Sequence, residues 1–390
     1  MKQGWEIKKL DTACEVEYGT RVVSKKDGGS KYPVYGGGGA TFFMDTFNRE
    51  NCFIVARFAM SLQCTRFVEG KFFLNDSGLS VKPKNRKEIL QAFLNFQMLY
   101  LNDHIYSLAK GTAQKNLDVP AFRNIEIRYP KSLLEQERIV TILDESFAAI
   151  SKAKSNAEQN LKNAKELFES YLQNLFETKG EGWEEKFLED VTDENCNLSY
   201  GIVQPGEEFL NGLPLIRPTD LSKRSITLKG LKLIDPKIAE RYKRPKLIGD
   251  ELLLCVGGRT GIVSIATKEL QGANVTRGIV PIRFNTEMIN HELGYYLLVS
   301  NYIQKQIKEK TYGAALMQIN IGDVRKILTP FPPLKEQQII VHKLDTLSAQ
   351  TNTLEAIYKK KINDLEDLKK SVLQKAFSGE LKTKESIEYI

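Results

Sequence analysis

The chain has 390 residues, 42% hydrophobic and 27% charged, with 56 Lys and Arg against 49 Asp and Glu for a net charge of +7. That length fits two or three domains with cores of ordinary size, and the mild positive excess permits a polyanionic partner without requiring one. No apolar run approaches the roughly 18 residues of a membrane span, and the opening MKQGWEIKKLD lacks the apolar stretch of a signal peptide, so a cytoplasmic chain with no membrane association is expected.

Residues 1–131 read as a first α+β domain. The run NCFIVARF is β-rich and opens on Asn51, and ILQAFLNFQMLYL has a helical period. YGGGGA, Tyr35 to Ala40, lacks the phosphate-loop pattern; it is either a flexible turn or a place where backbone approaches a ligand closely. Residues 132–180 form a long helix. Val140, Phe147, Lys154, Leu161, Phe168 and Leu175 share one seam position, and Leu143, Ile150, Ala157, Ala164 and Tyr171 the other. Ser132 and Glu135 make an S-x-x-E capping box at its start, and Gly180 stands where a terminating glycine belongs.

Residues 181–332 read as a second α+β domain, with ELLLCV, GIVSIA and RGIVPIRF as strands and NHELGYYLLVSNYIQKQI as helix. PFPPL at Pro330 to Leu334 is a rigid lead-in to a second long helix over 333–380. The seam of that helix runs Leu344, Leu347, Leu354, Tyr358, Leu365, Leu368 and Val372, with Thr351 and Lys361 interrupting it. Residues 381–390 form a C-terminal tail. At about 1.5 Å per residue each helix is roughly 60 Å long. The two helices are expected to pair with each other; the alternative is that each covers its own domain. Both domains are expected to hold a twisted or barrel-like sheet.

The chain says most of this twice. YPKSLLEQERIVTILD from Tyr129 returns as FPPLKEQQIIVHKLD from Phe331, and GWEIKKLD from Gly4 as GWEEKFLED from Gly182. Gly111–Pro130 align with Gly313–Pro332, Leu172-Gln173 with Leu373-Gln374, and Phe176 with Phe377. Matching Arg57 to Arg259 places the extra length of the second copy between Trp183 and Arg259. The unit is therefore an internal repeat of a mixed domain and a charged helix.

No catalytic signature appears. The five cysteines form no C-x-x-C pair, and His104, His291 and His342 are far apart. These features argue against a disulfide frame, a zinc site or a histidine cluster. PFPPL has Phe331 and Leu334 where an amino-methyltransferase motif needs Asn or Asp and an aromatic. Basic charge lies on the domains: Arg217 to Lys246 hold ten Lys or Arg against three acids, and residues 1–130 carry +6. The helical stretches 131–182 and 331–390 are near neutral, at −2 and +1. Phosphate is thus favoured by the domains and not by the helices.

With LLEQERIVTILD and PLKEQQIIVHKLD at the helix starts, and YPVYGGGG, IVARF, GTAQKNL, YGIVQPGEEF and PLIRPTDL in the domains, the chain resembles the DNA specificity subunits of type I restriction–modification systems. The resemblance covers nearly its whole length. It implies two target-recognition domains alternating with two helices that pair as an antiparallel coiled coil, related by a pseudo-two-fold axis. It implies sequence-specific binding of double-stranded DNA at a bipartite site, one domain per half. The helices would act as a ruler and dock two modification subunits, which bind S-adenosylmethionine and methylate adenine, and the complex would recruit restriction subunits with motor and nuclease activity. The chain itself would hold no cofactor, metal or catalytic residue. The DNA-binding residues expected are Lys25, Lys26, Tyr35, Arg57, Arg66, Asn75, Ser77 and Gln114 in the first domain. In the second they are Arg217, Thr219, Lys223, Arg224, Arg259, Thr260, Asn274 and Arg277. The competing readings are a cytosolic coiled-coil scaffold that joins proteins without DNA and, behind it, an enzyme with an unfamiliar site.

Overall fold

A computed structural model describes residues 4–241, 246–313 and 317–381 of the chain. All of the expected tail but Leu381 lies outside the described residues. Two compact units form, one from residues up to Glu158 with those from Lys359 onward, the other from Gln159–Tyr358. Both divisions fall inside long helices, Leu133–Thr178 and Leu334–Ser378, here called the first and second arms. Each unit therefore holds one α+β head, the start of one arm and the end of the other.

In the first unit the head is a six-stranded sheet ordered Cys14–Tyr18, Gly78–Pro83, Arg49–Ala56, Thr65–Leu74, Tyr32–Tyr35, Ala40–Met44. One pairing is parallel, Tyr32–Tyr35 beside Thr65–Leu74; the rest are antiparallel. The central strand buries Cys52, Phe53, Ile54, Val55 and Ala56 in succession, as a strand covered on both faces must. Helix Gln91–Tyr100 packs on the sheet through Phe93, Leu94 and Met98. A separate ribbon joins Trp5–Lys9 to Glu126–Pro130 and leads into the first arm.

The second head follows the same plan with its sheet cut in two. Ser225–Ile226, Val263–Ala266, Leu252–Cys255 and Ile279–Ile282 form one sheet, and Lys232–Ile234, Leu213–Ile216 and Asn274–Val275 another. The cause is local. Thr65–Leu74 is long enough to serve both halves of the first sheet, whereas its counterpart is interrupted by the 3-10 turn Lys268–Leu270 and by Gly272 at φ +88°. The extra length of this copy falls in two places, between Ile216 and Lys232 and between Ile234 and Leu252. The ribbon Glu184–Phe187 with Leu328–Phe331 repeats the first copy's.

Within each unit the two arm segments run antiparallel. In the first, Leu143 and Ile139 share a core with Leu373, Ala376 and Phe377, Lys369 lies over the Phe147 ring, and Lys154 pairs with Glu366. The one polar seam position of the first arm is thus answered by an acid opposite, an exposed pair that contributes little energy but fixes partners. In the second unit Leu172 and Phe176 share a core with Leu344.

The seams depart from the expected phase. Tyr171 is exposed while Leu172 is buried, and Leu354 and Leu368 face solvent at 37% and 47%. A straight helix drifts about 20° per heptad against a strict seven-residue repeat, which carries the late positions off the seam. Thr351, expected to interrupt, is buried because its hydroxyl bonds back to Leu347 O and Ser348 O at 2.9 and 3.1 Å. At the capping box Ser132 Oγ accepts from Glu135 N at 3.4 Å, and the Glu135 carboxylate accepts from Arg138. The first arm ends on Lys179 at φ +45°; Gly180 instead makes room for Trp183, whose Nε1 would lie 2.8 Å from an added Cβ.

Each arm is joined to its head by one fully buried glutamine. Gln136 Oε1 accepts from Leu90 N at 2.9 Å, and its Nε2 donates to Glu88 O and Pro130 O, both at 2.8 Å. Gln337 repeats this with Asn290 N at 2.6 Å, Met288 O at 2.7 Å and Pro332 O at 2.8 Å. One side chain satisfies a helix-start N–H, the turn before it and the end of the ribbon. Replacing Gln136 or Gln337 by Leu strands those groups. We expect each to lower stability by about 2–4 kcal/mol in denaturant titrations, against within about 0.5 kcal/mol for exposed Gln159→Leu. A silent Gln136→Leu would show that the glutamine does not hold head to arm.

Candidate nucleic-acid interface

In the first head five turns are drawn together by backbone hydrogen bonds. Arg57 N donates to Ser77 O at 2.8 Å, Leu117 N to Arg57 O at 2.9 Å, and Met60 N to Lys115 O at 2.9 Å. Asn75 N donates to Tyr35 O at 2.8 Å and Thr20 N to Leu74 O at 2.9 Å. Asn75 Oδ1 caps the turn by accepting from Ser77 N at 2.9 Å. Arg57, Asn75, Ser77 and the exposed Gln114 loop therefore belong to one cluster. Gly36 and Gly37 enter it by close approach: an added Cβ would meet Asn75 Oδ1 at 2.5 Å and Phe58 O at 2.8 Å. Gly38 and Gly39 face open space. The Gly-rich run is thus half packing and half free turn. Tyr35 is half-buried edge-on to Phe72 at 5.5 Å, inside the sheet's own packing.

The second head rebuilds the cluster. Ile202 N donates to Val275 O at 2.8 Å, Thr276 N to Ile216 O at 3.0 Å, and Val256 N to Gly278 O at 2.8 Å. Thr260 Oγ1 donates to Met317 O at 3.2 Å, and Arg259 Nη2 reaches Pro218 O. Arg277 and Thr219 stand exposed on this rim. Arg217 is held by Asp220 through two bonds of 3.1 and 2.9 Å, which also raise its pKa. The backbone corrects one alignment. Val256, not Arg259, makes the bond that Arg57 makes, and Arg259 belongs to the following turn. That turn closes from Cys255 N to Ile262 O, against Ala56 N to Cys64 O in the longer first copy.

Other expected contacts lie elsewhere. Lys25 and Lys26 are exposed on the short helix Ser24–Asp27, near the edge strand through Gly29 N to Phe43 O. Arg66 is half-buried in the ladder opposite Ile54. Asn274 is buried beside Leu215, its Oδ1 without a partner among the described residues. Lys223 is exposed, but Arg224 is committed: Nη2 reaches Glu292 at 2.8 Å and Asp345 at 3.6 Å, Nη1 reaches the Tyr296 hydroxyl at 3.3 Å, and its Cζ lies 4.6 Å from the Tyr295 ring centre. Burial, then the bond to Asp345, pushes Tyr296 up to about 12. Lys243 and Arg244 of the basic run lie outside the described residues. Sequence reasoning missed Tyr18, Phe58 and Tyr200, whose rings stand against arginines; the repeated Tyr-Gly dipeptide at Tyr18 and Tyr200 was the available signal.

Burial pushes the Cys14 thiol up to about 12 and that of Cys64 to about 11, so both stay protonated. Among the described residues no cluster of His, Cys, Asp or Glu could hold a metal ion, and no helix is long and apolar enough to cross a membrane. The protein is thus a duplicated one: two heads of one plan, each presenting a turn cluster in which an arginine lies against an aromatic ring.

The family model described as the type I restriction modification DNA specificity domain matches residues 2–160 and again 180–366. The EcoBI specificity subunit of Escherichia coli is 28% identical over 201 residues, 52% of this chain and 42% of that relative, so this match spans less than half of it. The MjaVIII specificity subunit of Methanocaldococcus jannaschii is 23% identical over 337 residues, 81% of this chain and 77% of its own. A chain solved in work on complex assembly and conformational transition of the type I R-M system shares the fold at TM-score 0.74, with 18% identity and 98% and 99% coverage. The HsdS subunit from Thermoanaerobacter tengcongensis does so at 0.59, with 18% identity and 98% of each chain covered. The chain belongs to the type I restriction–modification DNA specificity family.

The two neighbours in the basic run should now behave differently. Lys223→Ala should reduce the slope of log affinity against log salt by about one in filter binding. Arg224→Ala should leave that slope unchanged and lower the melting temperature, since it frees Glu292 and Asp345. The reverse pattern would contradict the assignment of Arg224 to the head–arm joint.

Proposed function

We propose that each head reads one half of a split DNA sequence and that the arms set the distance between the halves. The observation that carries this reading is the duplicated turn cluster, rebuilt with the same backbone bonds on two heads, each fastened to an arm through a buried glutamine. Exposed Lys25, Lys26 and Lys223 supply phosphate contacts, which position without specifying; the rim residues supply groove contacts, which specify. Two modification subunits dock on the arms, bind S-adenosylmethionine and methylate adenine, and restriction subunits join that assembly. The work is done in the cytoplasm, where the DNA is. Family membership, and basic charge on the heads with none to spare on the arms, favours this over a scaffold that ignores DNA.

The test is reconstitution. The purified chain with S-adenosylmethionine should transfer no methyl group to DNA, and adding its cognate modification subunit should give adenine methylation at a split sequence. Methyl transfer by the isolated chain, or methylation by the pair with no sequence preference, would overturn the proposal.

A further inference from the structure

Both heads contain the dipeptide Tyr-Gly at equivalent places, Tyr18-Gly19 at the end of the strand Cys14–Tyr18 and Tyr200-Gly201 four residues after Cys196. The glycine is forced by geometry. A Cβ on Gly19 would lie 1.9 Å from Asn75 O, and one on Gly201 would lie 2.0 Å from Val275 O. The chain thus passes directly against the turn that carries Asp76 in one head and Arg277 in the other. The next residue locks it there through Thr20 N to Leu74 O and Ile202 N to Val275 O. The tyrosine before the glycine is left as a plate on the rim. Tyr200 is fixed further, since its hydroxyl accepts from Ile321 N at 3.2 Å.

An arginine lies against each plate. The Arg57 Cζ is 4.9 Å from the centre of the Tyr18 ring and 4.3 Å from that of Phe58. Its backbone is pinned on both sides, and its Nη1 donates to Asp76 O at 3.2 Å. The Arg277 Cζ is 5.6 Å from the centre of the Tyr200 ring. The two come from different positions of the repeat, so the plate is shared and the arginine is supplied separately. Two other arginines of the first head are taken up by protein groups, Arg49 by Ser80 and Glu17 and Arg123 by Asp11 and Val16. Arg57 has no ion pair among the described residues, its Nε and Nη2 no hydrogen bond, and the Arg277 side chain has neither.

We infer that Tyr18 and Tyr200 are positioning residues that hold Arg57 and Arg277 as base readers, one in each half-site, and that the base read is guanine. Stacking on a ring restricts the guanidinium to one plane while leaving its edge donors free, which suits a bidentate acceptor. In the major groove guanine presents such a pair, O6 and N7. A freely swinging lysine such as Lys223 suits phosphate better. The inference rests on the proposed reading of DNA by the heads.

The test selects bound duplexes from a randomised library with the full chain and sequences them. Wild type should yield a split sequence with a guanine position in each half. Arg57→Lys keeps the charge and loses the fork, so it should relax that guanine preference by about tenfold in one half only, with an unchanged salt slope. Arg277→Lys should do the same in the other half only. Tyr18→Ala should relax the Arg57 position, and Tyr18→Phe, which keeps the ring, should restore it. A wild-type chain that selects no sequence would overturn the DNA reading itself. A split sequence whose base preferences survive both lysine variants would overturn the plate assignment and leave the DNA reading intact.

Discussion

A buried amide must find partners for its oxygen and its nitrogen, and this requirement fixes how each arm leaves its head. Gln136 and Gln337 join the ribbon, the turn before the head helix and the first turn of that helix through three bonds each. A shift of the arm against the head would leave several interior polar groups unpaired at about 1–3 kcal/mol each. The angle of departure is therefore set by chemistry and not by contact area alone. In the first head the same turn is held from the other side by Glu88, whose side chain accepts from Lys8 and Tyr129. The Lys8 bond, then the Tyr129 bond, holds that carboxyl below its usual range.

Arginine shows how one residue type divides its work. Arg224 joins the second head to the second arm through Glu292 and Asp345, Arg217 stiffens a turn through Asp220, and Arg57 and Arg277 lie on rings with no carboxylate paired to them among the described residues. All stand in charge-rich or glycine-rich surroundings that look alike in sequence. What separates them is whether a carboxylate lies within reach after folding, and those carboxylates are far away along the chain. Composition could therefore locate the basic heads but could not sort their arginines.

The duplication and the arms were legible because they repeat locally: a Glu-Gln pair just inside each helix, Phe176 matched by Phe377, Gly111 by Gly313; that the glutamine of the pair joins arm to head was not, since its partners lie more than 40 residues away as well as beside it. Where the repeats diverge, legibility failed. Arg57 and Arg259 align by letter, yet the strand ladders place Val256 at the position of Arg57, because the turns that follow differ in length. Leu354 and Leu368 fit a heptad by type, yet they face solvent, while Thr351 is buried by bonding to its own helix. Tyr18 was overlooked because a tyrosine before a glycine gives no sign of the arginine that folding brings over its ring.

The central claim is that the heads read and the arms measure. Lys154 faces Glu366, so a heptad placed after Lys154 and a second placed before Glu366 lengthen both arms while keeping their pairing in phase. Each insertion adds about 10 Å of helix, close to three base pairs at about 3.4 Å per step. Selecting bound sequences from a random library should then return both original half-sequences with a spacer longer by about three base pairs. New bases inside a half-sequence, with the spacer unaltered, would contradict the division of labour between heads and arms.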